Sequence, residues 1–219
     1  MATPRDLDLL AARALPAAEE ERRHGWLLRA TPEPAPRRVT SALPPWPAPP
    51  DDVDAVEAWY AERGLVPRIM VSPDDAEQAR LDAALEARGW AREPNPGDVL
   101  VGDPDVVLDV LGGPSHHVVP SDHADLRSPD PVVPLAAAGG AGRAVAVLQD
   151  GWSFVLALEV DPGHRRHGIG AALVRAWARL AEGRRLYLQV ERGNDPAHAL
   201  YAAAGFTLSH GYHYRSRVT

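Results

Sequence analysis

The chain has 219 residues, a formal net charge of −7 at neutral pH, 45% hydrophobic content and no cysteine. That length suffices for one large domain or two small ones, and the missing cysteine excludes disulfides, thiolate metal sites and a cysteinyl acyl-enzyme. The acidic total argues against a nucleic-acid or anionic-membrane partner and for a small molecule; residues 1–105 hold 12 arginines against 20 acids and residues 106–219 hold 11 against 10, with no lysine.

Residues 1–16 mix acids and arginines among the leucines and lack the apolar core and cleavage site of a secretory signal. No run reaches membrane-spanning length. A cytoplasmic protein, monomeric or homodimeric, is expected.

Residues 5–23 read as an amphipathic helix interrupted by Pro16, and Gly25 opens a strand over residues 26–30. Residues 31–50 are too rich in proline for helix; Leu43 and Trp46 suit an ordered loop better than a solvated linker. Asp51 or Asp52 is placed to cap a helix through Val53, Val56, Trp59 and Tyr60, stopped by Gly64. A strand over 65–72 follows. Ser72-Pro73 opens a second helix, with Leu81 and Leu85 on one face and a stop at Gly89.

Residues 99–101 and 106–111 read as short strands, and 112–142 as a Pro- and Gly-rich connection with little pattern. Residues 144–148 and 153–160 form strands joined by a tight turn at Asp150-Gly151. A loop over 161–167 leads to a helix over 169–182 stopped by Gly183. A strand over 186–190, a helix over 196–204 closed by Gly205 and a strand over 206–214 complete the chain. The fold class is α+β, a central twisted mixed sheet flanked by helices.

Residues 58–65 (Ala-Trp-Tyr-Ala-Glu-Arg-Gly-Leu) match residues 199–206 (Ala-Leu-Tyr-Ala-Ala-Ala-Gly-Phe) in character, position by position. Residues 85–90 (Leu-Glu-Ala-Arg-Gly-Trp) are a looser third copy. A common helix, glycine stop and strand explains the echo, and so does a degenerate duplication.

The chemistry concentrates in Val160-Asp161-Pro162-Gly163-His164-Arg165-Arg166-His167-Gly168-Ile169-Gly170-Ala171-Ala172-Leu173. A small-residue turn between strand and helix exposes free backbone N–H groups at the positive end of a helix, which is an anion site. Gly168 and Gly170 let the main chain approach a phosphate. Arg165 and Arg166 place charge where a pyrophosphate would lie. A dinucleotide fold would use Gly168-Ile169-Gly170 as the start of its glycine fingerprint and Glu191 as the ribose acid. Leu173 stands where the third glycine belongs, however, and seven residues separate strand from glycine.

Arg165-Arg166-His167-Gly168-Ile169-Gly170 resembles the signature of the GNAT superfamily of N-acetyltransferases: Gln or Arg, two variable residues, Gly, one variable residue, Gly or Ala. Leu158-Glu159-Val160-Asp161-Pro162 resembles the fourth GNAT strand and Leu188-Gln189-Val190 the fifth. Asn194, Ala199-Leu200-Tyr201 and Gly205-Phe206 resemble the motif that follows. The match is close over residues 143–214. More faintly, Gly25-Trp26-Leu27-Leu28-Arg29, Ala58-Trp59-Tyr60, Leu81-Asp82, Arg88-Gly89-Trp90 and Tyr212-His213-Tyr214-Arg215 are similar to a group of actinobacterial GNAT proteins with a divergent first half.

The resemblance implies two GNAT-like halves in tandem: a degenerate half over residues 1–105, which shapes the acceptor pocket without binding CoA, and a catalytic half over 106–219. It implies acetyl-CoA as cosubstrate, transfer to a primary amine of a small molecule, amino acid or peptide N-terminus, and no metal. The Leu158 and Val160 backbone would pair with the pantetheine arm, and the N–H groups of Arg166, His167, Gly168, Ile169, Gly170 and Ala171 would hold the pyrophosphate beside Arg165. Asn194 would help hold the cofactor. Tyr201 would sit near its sulfur, as general acid or hydrogen-bond donor; the alternative is a core aromatic on an amphipathic helix.

A general base is not visible. Many GNAT enzymes place it on the fourth strand at positions matching Phe154 and Leu156, both apolar here, and strand alternation puts Glu159 on the opposite face. Glu191, His198, His210 and Glu57 remain candidates. His210 and His213, three apart on a strand, should face opposite sides, and His116-His117 has no carboxylate at ligand spacing. A non-catalytic acyl-CoA-binding or regulatory protein on the same fold stays open as the second reading.

Overall fold

A computed structural model describes residues 2–32, 34–46, 52–113, 116–121 and 126–217. Its contacts divide the chain into two units, Met1–Asp98 with His210–Thr219, and Val99–Ser209.

In the first unit Thr3 caps α1 (Pro4–Ala14). Its hydroxyl accepts the Asp6 amide while the Asp6 carboxylate accepts the Thr3 amide at 2.8 Å, a reciprocal box with proline at the start of the helix. The helix does not continue to residue 23 as the amphipathic pattern suggested: β1 (Glu19–Arg23) pairs antiparallel with β2 (Trp26–Ala30). His24 and Gly25 take φ of 48° and 82°, the left-handed pair a two-residue hairpin needs. That pairing overrides the poor strand propensity of three glutamates and two arginines.

The proline-rich segment is ordered where described. It forms a 3₁₀ turn over Arg37–Val39 and bridges Leu27 to Leu43 and Ala42 to Ile69. Leu43 is buried, and Trp46 is 45% exposed.

Asp52 precedes α2 (Val53–Ala61) without a side-chain cap bond; Asp51, the other candidate cap, lies outside the described residues. After β3 (Arg68–Val71), α3 (Ala76–Ala87) begins later than Ser72-Pro73 suggested. Asp75 is the residue whose carboxylate accepts the amides of Glu77 and Gln78, at 2.7 and 3.4 Å. The last strand, β11 (Thr207–Ser216), pairs with β3 and with β4 (Ala91–Arg92) in this unit. Trp26, Trp59, Tyr60, Ile69, Leu81, Leu85 and Trp90 fill the core.

His210 and His213 bind different carboxylates, Asp8 at 3.1 Å and Asp82 at 2.7 Å, as opposite sides of a strand require. Among the described residues no group of three or more His, Asp or Glu is placed to hold a metal.

The second unit takes Val99–Gly102 from β5 (Gly97–Gly102). Residues 106–111, read as a strand from their valines, belong to α4 (Pro104–Leu111). Asp103 accepts the Asp105 amide at 2.9 Å and Pro104 fills the first helical position, a start signal that outweighs β-branched content. Residues 112–142, read as patternless, contain β6 (Val118–Pro120) and β7 (Val132–Ala137); residues 114–115 and 122–125 lie outside the described residues.

The Asp150-Gly151 hairpin joins β8 (Gly142–Gln149) to β9 (Trp152–Val160). Then come α5 (Ile169–Leu180), β10 (Arg185–Glu191) and α6 (Asp195–Ala203). The sheet order is β5-β10-β9-β8-β7-β6, with β10 parallel to β9 and the β9-β8-β7-β6 run antiparallel. Ile169, Leu173, Val174 and Trp177 of α5 share a core with Ala146, Val155, Leu186, Leu188 and Phe206. The class is the mixed α+β one that the pattern predicts.

The sequence echo has a local structural basis. In α2, α3 and α6 the residue after the terminal glycine donates back five residues, Leu65 to Tyr60, Trp90 to Leu85 and Phe206 to Tyr201, at 2.9–3.0 Å. The glycines sit at φ of 66°, 81° and 84°. All three are Schellman caps, a geometry that selects glycine then an apolar residue without any shared ancestry.

Candidate functional site

The parallel ladder between β9 and β10 is short: it runs from Trp152↔Arg185 to Val155↔Leu188 and stops, although both strands continue for several residues. Beyond it lies β9 from Leu156 to Val160, which contains both residues expected to meet a pantetheine arm. Here the β8 pairing also breaks register, from Val145↔Leu156 to Arg143↔Glu159. Ala157 is the inserted residue and takes φ of 52°, a left-handed conformation uncommon for a residue with a Cβ.

That bulge changes the phase of the strand. Val155 lies in the core under α5, and Leu158 and Val160 pack against the same core. Phe154 and Leu156 therefore face the other way, and after the extra residue so does Glu159. The alternation argument that set Glu159 opposite Phe154 and Leu156 is thereby corrected: all three share a face. There the exposed Glu159 accepts from Arg143 at 2.6 Å.

After β9 the chain turns through a 3₁₀ segment, Pro162–His164, and Arg165 folds back to donate from Nε to the Val160 carbonyl at 3.1 Å. Arg166 and Gly168 take φ of 66° and 83°, left-handed residues on either side of His167 of the kind that turn successive backbone N–H groups toward an anion. Gly168 is the N-cap, and α5 has no side-chain cap. Among the described residues no acceptor takes the amides of Ile169, Gly170 or Ala171, which leaves the positive end of a three-turn helix open to an anion.

Residues 161–168 are all exposed, while Ile169 turns into the core. A ring nitrogen of His116 reaches the His167 carbonyl, a neighbour of the turn from 51 residues earlier in the chain.

The two glycines have different duties. Gly168 supplies a left-handed φ. Gly170 supplies room for packing: a Cβ there would stand 3.1 Å from Leu200 Cδ2 and 3.9 Å from Val160 Cγ2, so the first turn of α5 seats against both α6 and the end of β9.

Asn194 caps α6, its Oδ1 accepting the Ala197 amide at 3.2 Å. The cap explains the residue's presence locally and leaves its amide N–H₂ exposed. Tyr201 is buried, edge-on to Phe206 at 5.4 Å between ring centroids, and burial pushes its phenol up to about 12. No described residue hydrogen-bonds its hydroxyl.

Of the other base candidates, Glu57 and His210 belong to the first unit. Glu57 accepts from Trp90 Nε1 at 3.1 Å and Arg217 at 2.7 Å, and His210 is buried against Asp8. Glu191 is exposed at the end of β10, and His198 is half-buried on α6.

The parallel strand pair that parts beyond Val155, and the uncapped helix entered through Arg-Arg-His-Gly, are where the GNAT resemblance of the sequence placed its motifs, and the comparisons show the GNAT fold. A family model described as "Probable histone acetyltransferase Rv0428c C-terminal" matches residues 2–215, and the chain belongs to that family. No curated protein matches the chain.

Among solved structures, a GCN5-related N-acetyltransferase from Kribbella flavida is similar at TM-score 0.71 and 16% identity, covering 97% of this chain and 95% of its own. A tandem GNAT protein from the clavulanic acid biosynthesis pathway, without AcCoA, is similar at TM-score 0.66 and 17% identity, covering 99% and 89%. A functionally unknown conserved protein from Staphylococcus epidermidis ATCC 12228 is similar at TM-score 0.66 and 11% identity, covering 94% of each. These likenesses show the fold. Among the described residues no helix is long and apolar enough to cross a membrane.

Proposed function

We propose that the protein transfers the acetyl group of acetyl-CoA directly to a primary amine. The observation that carries the reading is the uncapped, glycine-entered N-terminus of α5 lying beside the bulged end of β9. The amides from Arg166 to Ala171, with Arg165 and Arg166, suit a pyrophosphate. The backbone of Leu158 and Val160 suits the amide groups of a pantetheine arm, and Asn194 is free to donate from its amide.

In the transfer the amine nitrogen attacks the thioester carbonyl, the carbon–sulfur bond breaks and the sulfur leaves as a thiolate. Backbone N–H groups near the bulge suit the negative charge that builds on the carbonyl oxygen. A phenol at about 12 facing a thiolate whose conjugate thiol ionises near 8.5 would give up its proton at a cost of roughly 5 kcal/mol. Tyr201 therefore serves as a hydrogen-bond donor to the leaving sulfur.

Glu159, on the face of Phe154 and Leu156, is the base we assign to the proton leaving the amine, with Arg143 orienting it. An α-amine, with a pKa of about 8, is easier to use than a lysine side chain near 10.4.

Residues 1–105 fit a degenerate half without its own CoA. The Asp75 carboxylate already takes the first-turn amides of α3 and would repel a phosphate. A cytoplasmic protein, monomeric or homodimeric, acting on a small-molecule or peptide amine and not on nucleic acid or membrane, suits the acidic balance.

Release of free CoA, measured across amines, amino acids, amino-terminal peptides and lysine-bearing histone-tail peptides, tests the reading. Amine-dependent release supports it. Tight acetyl-CoA binding with no release on any amine would favour a non-catalytic acyl-CoA-binding protein.

A further inference from the structure

The first unit contains a cavity of about 450 Å³, within the size range of small-molecule sites, and nothing in the acetyl-transfer reading uses it. Three carboxylates, Asp6, Asp8 and Asp75, line it against one guanidinium, Arg5, and Trp46 and the Gln78 amide complete the wall with aliphatic neighbours.

Part of the lining is locked in a hydrogen-bonded chain. The Gln78 Oε1 accepts the Ser72 amide at 3.4 Å, the Ser72 hydroxyl donates to Asp8 Oδ2 at 2.9 Å, and His210 Nε2 reaches Asp8 Oδ1 at 3.1 Å. Asp8 is thereby held with its side chain only 11% exposed.

Gln78 is 7% exposed, and no described residue accepts from its amide N–H₂ group. A donor left open on a side chain that is otherwise packed into the wall of a cavity is a ready partner for a ligand acceptor. Arg5 donates to the Pro44 carbonyl at 2.7 Å and is one guanidinium against three carboxylates, so the lining keeps a negative excess. Trp46 lies in this wall and is 45% exposed, an aromatic side chain of the type that attracts cations.

We infer that this cavity is a binding site for a small organic cation: a primary amine with an apolar body and one hydrogen-bond acceptor. The amine meets the carboxylates, the acceptor meets Gln78, and the body meets Trp46. An anion of the same shape is excluded by charge, and CoA with it.

Calorimetry on the full chain without acetyl-CoA separates this claim from the acetyl-transfer reading. Phenylalaninamide should bind saturably at one equivalent per chain. Its neutral analogue 3-phenylpropanamide should bind at least about tenfold more weakly, a difference of about 1.4 kcal/mol, and 3-phenylpropionate should not bind. Asp8→Asn and Gln78→Met should each weaken phenylalaninamide several-fold. Should either fail to fold, Trp46→Ala at the rim and Asp75→Asn, which keeps the α3 cap, carry the same expectation. No saturable heat from phenylalaninamide, equal binding of the carboxylate, or full affinity in Trp46→Ala and Asp75→Asn together would overturn the inference.

Discussion

Tyr201→Phe removes one hydroxyl from a ring that is otherwise embedded in the core against Phe206. No described hydrogen bond is lost, so stability should change by less than about 1 kcal/mol, since the penalty for a broken bond comes from the partner left behind. Acetyl-CoA affinity should hold as well, because the phenol is assigned to the leaving sulfur alone. A hydrogen bond to a charged group contributes about 1.5–3 kcal/mol, so turnover should fall roughly 10- to 150-fold. Initial rates of thiol release, with calorimetry for the cofactor, measure both. Because burial pushes the phenol up to about 12, the wild-type rate should show no loss from Tyr201 ionisation as pH rises through 10. Undiminished turnover in Tyr201→Phe with chemistry rate-limiting, or a fall in rate near pH 10 that the variant lacks, would refute the role.

Gly170→Val should push methyl groups into Leu200 and Val160 and destabilise the unit by about 1–3 kcal/mol, whereas Gly168→Ala should add backbone strain of about 1–2 kcal/mol at its left-handed φ. Both should weaken acetyl-CoA in thermal-shift titrations, and normal binding in both would remove the turn from the site. Glu159→Gln should lower kcat while sparing acetyl-CoA affinity; an unchanged kcat with chemistry rate-limiting would return the base to Glu191 or His198. Burial also raises the phenols of Tyr60, Tyr212 and Tyr214. The folded state therefore favours neutral phenol, and stability is intact below pH 10 and lost as pH rises beyond it. Tyr201 alone accounts for about 2 kcal/mol by pH 12. The urea midpoint should begin to fall near pH 10, together with phenolate absorbance, and a flat midpoint to pH 11.5 would contradict this.

The parts legible in the sequence are those fixed within a few residues. Glycine stops after α2, α3, α5 and α6, the Asp150-Gly151 hairpin and the Arg-Arg-His-Gly turn each follow from one conformational demand, and each is in place. Asp103-Pro104 was equally local and readable, but the valines behind it drew the eye toward a strand. Residues 19–23 became a strand only because β2 is there to pair with them, which no window of the sequence contains. The bulge at Ala157 had no sequence signal at all, since alanine rarely takes a left-handed φ, and it reverses the face of the most informative carboxylate on β9. Gly170 was legible as essential, and the fold adds a second reason that no local window contains: its missing side chain makes room for Leu200, a contact between helices 30 residues apart in the chain. The cavity beneath α1 assembles Asp8, Trp46 and Gln78 from three distant segments, and only the fold brings them together.

Titrating acetyl-CoA into the full chain by calorimetry tests the central claim most directly. One equivalent per chain, lost when Arg165 and Arg166 are replaced by glutamate, is the result the α5 site predicts. Two equivalents, no binding, or affinity unchanged by the charge reversal would contradict it.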